Sequence, residues 1–141
     1  MTRIEAQLRG ADPRVAGGRL TIDLDAIAAN YRLLAEQSTP AEAAAVVKAN
    51  AYGLGTGPVV EALVAEGCRK FFVALPEEGL AVRKAAPEAE IYVFNGLFSS
   101  EAASFYREGR LLPVLNSQSD LAIWEAHGWD DANTPRPCAL H

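Results

Sequence analysis

Residues 44–55 read Ala44-Ala45-Val46-Val47-Lys48-Ala49-Asn50-Ala51-Tyr52-Gly53-Leu54-Gly55, and this stretch decides how the chain is understood. A short run of small and β-branched apolar residues suits a buried parallel strand. The run stops on Lys48 and passes into a loop punctuated by Gly53, Gly55 and Gly57. A cation at the end of a buried strand is costly unless it is paired or gives up its charge. Lysine gives up its charge readily on burial, and its free amine condenses with carbonyl compounds, so Lys48 is a candidate Schiff-base former. The plainer reading stays open on spacing alone: a strand-end lysine that reaches into solvent or pairs with a carboxylate.

Outward from this stretch, strands and helices alternate. Arg19-Leu20-Thr21-Ile22-Asp23 alternates as a first strand, and Asp25 reads as the N-cap of a helix with Ile27, Tyr31 and Leu34 on one face. After the Lys48 strand, Pro58 suits a helix first turn, Val59, Ala62 and Leu63 its buried face, and Gly67 its end. Lys70–Leu75 reads as the third strand, with Pro76-Glu77-Glu78 opening the next helix where its dipole favours acid. Ile91–Phe94 is the fourth strand, followed by a helix capped at Ser99 or Ser100. Leu111–Leu115 is the fifth, although Pro113 sits uneasily in a central strand. Ser117 caps a last helix, and 137–141 reads as the start of a sixth strand. Repeated strand–helix units of this kind point to a parallel sheet.

Composition limits the function. The chain has 141 residues, half of them apolar, and a formal charge of −5. That balance suits a soluble globular domain and argues against a nucleic-acid or membrane-surface partner, which needs a basic face. A local site for an anionic cofactor remains compatible with it. No apolar run approaches the ~20 residues of a membrane span. Residues 1–18 lack the apolar centre of a signal peptide and are read as a mobile leader, and the protein as cytoplasmic. Cys68 and Cys138 show no metal-ligand spacing and are read as small core residues.

Val47-Lys48-Ala49-Asn50-Ala51-Tyr52-Gly53, followed by Leu54-Gly55, resembles the pyridoxal-phosphate attachment motif of the alanine racemases. The segment Leu24-Asp25-Ala26-Ile27 with Asn30-Tyr31 resembles the opening of the same family. The resemblance implies that Lys48 carries the cofactor as an internal aldimine and acts in catalysis, and that Tyr52 hydrogen-bonds the cofactor phosphate. Many members have histidine where this chain has Leu54. The resemblance further implies interconversion of L- and D-alanine for peptidoglycan, with pyridoxal 5'-phosphate as cofactor, alanine as substrate and a homodimer of the full-length protein. The second acid–base group and the arginine at the pyridine nitrogen match no residue here. His141 falls at or next to a position where many members carry a lysine, often carbamylated, but a plain strand-end histidine is the preferred reading.

Two α/β architectures compete, a doubly wound open sheet and part of a (β/α)8 TIM-type barrel. Length favours the open sheet, because a barrel takes about 250 residues. The resemblance favours the barrel and is given precedence. The expectation is an incomplete barrel over 19–141, with about five βα units and the start of a sixth strand, no carboxyl-terminal β-domain, and an apparently truncated chain that is inactive alone. The alternatives are a non-catalytic pyridoxal-phosphate-binding barrel of cofactor homeostasis and a cofactor-free open-sheet interaction domain. Among the remaining polar residues, Asn50 and Asn95 read as turn residues and Glu77 and Glu78 as a solvated helix start. The alternate glycines read either as a phosphate cradle or as positions needing positive φ.

Overall fold

The computed structural model describes residues 20–127 and 137–141, the backbone of Arg3–Glu5, and residues 12, 14, 15, 17 and 18. In chain order the elements are β1 (Arg3–Glu5), β2 (Thr21–Asp23), α1 (Leu24–Ser38), β3 (Ala45–Val46) and α2 (Lys48–Tyr52). They continue with α3 (Thr56–Ala65), β4 (Lys70–Val73), α4 (Pro76–Ala85), β5 (Glu90–Val93) and α5 (Ser100–Gly109). The last are β6 (Leu112–Leu115), α6 (Gln118–His127) and β7 (Ala139–Leu140).

Strand order separates the two architectures. The main sheet is parallel with order β3-β4-β5-β6-β7, so each strand lies beside its successor with no reversal. A doubly wound sheet reverses its order at a switch point and carries helices on both faces. Here α1, α3, α4, α5 and α6 pack in succession, each on the next, as one layer on one side of the sheet. Sequential strands with a single outer layer of helices are the arrangement of a (β/α)8 barrel wall. The structure is therefore a partial TIM-type barrel.

The sheet begins one strand later than the sequence predicts. Thr21–Asp23 pairs antiparallel with Arg3–Glu5, which lies inside the stretch read as a leader, and stands outside the parallel sheet. Ile22 is buried while Thr21 and Asp23 are exposed. The main strands are one-sided too, because only one face meets helices. Phe71, Val73, Ile91 and Val93 are fully buried against that layer and form the centre of the core. Each such side chain contributes about 1.5–3 kcal/mol when removed from water. The opposite face carries Val46, Phe72, Tyr92 and Leu112, which pair across the strands, with Phe94 just beyond β5. On it the Phe72 ring stacks on Tyr92 and Phe94, with centroids 4.9 and 5.0 Å apart.

Local signals mostly hold. Ser99 Oγ accepts the Ala102 N–H, Ser117 Oγ accepts the Asp120 N–H, and Pro76 opens α4. The cap of α1 is Asp23 rather than Asp25: Asp23 Oδ1 accepts the Ala26 N–H at 3.1 Å, while Asp25 lies within the first turn. The buried face of α1 runs through Leu24, Ile27, Ala28 and Tyr31, as expected for Ile27 and Tyr31, but leaves Leu34 at its margin, 61% exposed. Pro113 does occupy a central strand, opposite Val93 and fully buried, with its ring in the layer beneath the helices. No helix among the described residues is long and apolar enough to cross a membrane.

Candidate functional site

Parallel barrels gather their functional groups at the carboxyl ends of the strands. At the end of β3 the Val47 N–H donates to Phe72 O at 2.9 Å, and Val47 is almost fully buried. Lys48 follows, half-buried, and its amine has no hydrogen-bond or ion-pair partner among the described residues. The other two lysines differ. Lys70 is paired with Glu42 at 2.7 Å, and that hydrogen bond holds its pKa above the ordinary lysine value; Lys84 is exposed.

After Lys48 the backbone turns left-handed. Ala49, Asn50, Ala51 and Tyr52 have φ of 51°, 54°, 53° and 55°, so α2 is a turn of left-handed helix. L-residues resist this conformation by roughly 1–2 kcal/mol each, and the surroundings must hold it in place. Three sets of bonds do so. Within the turn, the Ala51 N–H donates to Val47 O at 3.0 Å and the Gly53 N–H to Ala49 O at 2.9 Å. At its far end, Asn50 Oδ1 accepts both the Thr56 N–H (2.9 Å) and the Thr56 hydroxyl (3.2 Å), which ties the turn to the start of α3. At its near end, Glu78 Oε1 accepts the Ala49 N–H at 2.7 Å. Glu78 Oε2 accepts the N–H groups of Ala74 (2.8 Å) and Leu75 (3.1 Å) beyond β4.

Tyr52 closes the turn four residues after Lys48, 61% exposed, and its hydroxyl has no partner among the described residues. The turn sets the lysine and the tyrosine about one helical turn, ~5 Å, apart along its axis. Gly53 and Gly55 have φ of +83° and +99°, and Gly57 lies inside α3. Between 53 and 56 every backbone N–H is used within the loop, by Ala49 O, Asn50 O, Ala51 O and Asn50 Oδ1. Gly53 and Gly55 are therefore turn positions whose amides are taken up within the loop.

The neighbouring strand ends complete this rim. Asn116, after β6, donates through Nδ2 to Phe94 O (2.8 Å) and Val114 O (3.1 Å). That leaves Asn116 Oδ1 to face His141 Nδ1 at 3.1 Å, while the His141 N–H donates to Leu115 O. His141 thus sits just past the end of β7, bonded to the end of neighbouring β6. The other tyrosines are occupied elsewhere. Tyr92 donates to Glu90 Oε2 at 2.9 Å, with its pKa raised by burial and by that carboxylate. Tyr106 is buried under Trp124, donates to Gly96 O at 2.6 Å, and has its pKa pushed up by burial. Cys68 is buried and Cys138 half-buried, and both are free thiols.

Glu78 and Asn50 are the residues whose part in this geometry sequence reading missed. Glu78 occupies the third position of a helix, where a glutamate reaches back to the N-cap amide, and that signal was present. Its reach to Ala49, 29 positions away in sequence, was not. Asn50 reads as a turn residue because asparagine tolerates the left-handed region. Its bond to Thr56 depends on the turn being followed at once by a helix.

Related sequences and solved structures cover most of this chain. Residues 22–141 match the family model for the alanine racemase N-terminal domain. The chain is 51% identical over 126 residues to an alanine racemase of Methylobacterium sp. and 43% identical over 126 residues to that of Rhizobium meliloti. Each match covers 89% of this chain but only 34% and 32% of the relative, so the chain spans about a third of the length of the curated relatives it matches. The Bartonella henselae alanine racemase, solved with covalently bound pyridoxal phosphate, superposes with a TM-score of 0.71 at 45% identity, over 74% of this chain and 29% of that one. The biosynthetic alanine racemase of Pseudomonas aeruginosa gives 0.72 at 34% identity, over 84% and 32%. With a barrel-wall fold and a match over residues 22–141, this chain belongs to the alanine racemase N-terminal domain family.

Proposed function

We propose that this chain forms the lysine-bearing wall of a pyridoxal-phosphate site at which L- and D-alanine are interconverted, supplying D-alanine for peptidoglycan. One observation carries the reading: Lys48, half-buried at a strand's carboxyl end, has an amine without a partner among the described residues, beside a braced left-handed turn that ends on Tyr52. The residues present suit the cofactor, since a free amine meets its aldehyde and a free phenol can donate to its phosphate. When bound, pyridoxal phosphate supplies the conjugated ring that takes up the electron pair left as the Cα proton departs.

The chain's own residues do the rest. Lys48 would hold the cofactor through Nζ, and the same Nζ, when free, would remove or return the Cα proton on one face. Tyr52 orients the anionic end by donating its hydroxyl. Inversion also requires an acid–base group on the opposite face, and we assign that role to none of the described residues: Tyr31, Tyr92 and Tyr106 are held by Ala43, Glu90 and Gly96. The same reading extends to a homodimer of the whole protein and to a cytoplasmic setting.

Borohydride reduction in the presence of pyridoxal phosphate, followed by peptide mapping, tests it. The label is expected on Lys48; label on Lys70 or Lys84 in its place, or none, overturns it. In a racemase carrying this chain in place of its own matching third, Lys48→Ala abolishes interconversion, and retained activity is incompatible with the proposed role.

A further inference from the structure

We infer that Glu78 is the positioning residue for the Lys48 amine, acting through the backbone of Ala49. The inference rests on the function proposed above and goes beyond it, because Glu78 touches neither cofactor nor substrate in that reading. Its carboxylate spans two strand ends. One oxygen takes the amide that immediately follows Lys48, and the other takes two amides of the turn after β4. Ala49 is the first residue of the left-handed turn, so its N–H orientation sets the direction in which Lys48 leaves β3. In a left-handed turn that costs roughly 1–2 kcal/mol per residue, the first amide lacks a partner inside the turn. Glu78 supplies that partner from a rigid element, the first turn of α4.

The chemistry calls for a carboxylate in particular. Both oxygens accept, and together they receive three N–H groups, with distances from 2.7 to 3.1 Å. An amide offers one accepting oxygen; its nitrogen donates, and it would set an N–H against an N–H on one of the two sides. Glu78→Gln therefore keeps the side chain's volume and breaks the clamp. Glu78→Asp keeps both acceptors on a stem one methylene shorter.

The 141-residue chain is treated with pyridoxal phosphate and borohydride, and label is measured separately on Lys48, Lys70 and Lys84. Amide hydrogen exchange at Ala49 is followed in parallel. In Glu78→Gln, label on Lys48 is expected to fall about tenfold, the scale of one charge-assisted hydrogen bond, with Lys70 and Lys84 unchanged. Ala49 exchange quickens by a similar factor, and Glu78→Asp falls between. A purely structural role would shift all three lysines together, and that result overturns the inference, as does Lys48 label that stays at its original level. Exchange in the unaltered chain decides independently of any variant's folding, since an unprotected Ala49 amide means there is no clamp. An unaltered chain without label on Lys48 brings down the proposed function and this inference with it. A normally labelled chain whose Glu78→Gln variant behaves identically brings down the inference alone.

Discussion

Asn50 Oδ1 accepts the backbone N–H and the hydroxyl of Thr56 at 2.9 and 3.2 Å, so one side chain in a left-handed turn caps the helix that follows it. Asparagine does two things here. It tolerates φ of 54° better than most residues, and it satisfies an amide at the start of α3 that has no partner within the helix. Asn50→Ala removes both and is expected to destabilise the chain by about 1–2 kcal/mol, the usual range for losing an N-cap. Urea unfolding measures it; an unchanged midpoint would show that the turn does not depend on this bond.

Gly96 offers a sharper case. Its φ is +68°, and a Cβ there would lie 2.7 Å from Asp120 Oδ2 and 3.1 Å from Val114 O. Its carbonyl also receives the buried Tyr106 hydroxyl. Gly96→Ala is expected to cost about 1–3 kcal/mol, the range for a strained left-handed residue. Gly53→Ala meets no atom within 4 Å and carries the φ penalty alone, so it is the milder change. Thermal melting of both variants checks the order, and equal losses would show that crowding at Gly96 relaxes.

Alkaline pH should weaken the fold through tyrosines with raised pKa values, Tyr31 and Tyr106 foremost. Burial, with help from Cys68, pushes Tyr31 up to about 12, and burial raises Tyr106 further. Below the ordinary tyrosine pKa of about 10 both states hold the proton and stability is at its full value. Above it the unfolded chain ionises first and binds fewer protons, so stability falls as pH rises through the folded pKa. Melting temperatures are expected to drop from pH 9 to pH 11.5, and Tyr31→Phe and Tyr106→Phe to flatten the drop. A drop of the same size in the double variant would place the cause elsewhere.

The sheet also has two unpaired edges among the described residues, β3 and β7. Exposed edges template pairing with other chains, and the apolar inner face around Phe72 and Phe94 adds to the tendency. Sedimentation of the 141-residue chain is expected to show concentration-dependent association. A monodisperse monomer would mean that both edges are covered.

Much of this was legible from residues alone. The run Val46-Val47-Lys48 announced a strand ending on an amine, and serine, proline and glycine marked the helix ends at Ser99, Ser117, Pro76 and Gly67. Such features are local, set by φ preferences and by side chains that bond within a few positions. Local rules also misled where two residues compete at short range, as Asp23 and Asp25 did for the cap of α1.

Tertiary structure alone decided three matters. It excluded Thr21–Asp23 from the parallel sheet by pairing it antiparallel with Arg3–Glu5, a partner that no local pattern announces. It turned Ala49–Tyr52 left-handed, a state no propensity favours and one that persists only because Asn50 and Glu78 brace it. It also brought Glu78 to Ala49 across 29 positions of chain, for hydrogen bonds between neighbouring strand ends follow from the parallel register. Sequence therefore determined which residues could carry the chemistry, since side-chain type and local spacing are written in it. The direction in which Lys48 leaves its strand was decided by packing, because it depends on groups that only folding brings together.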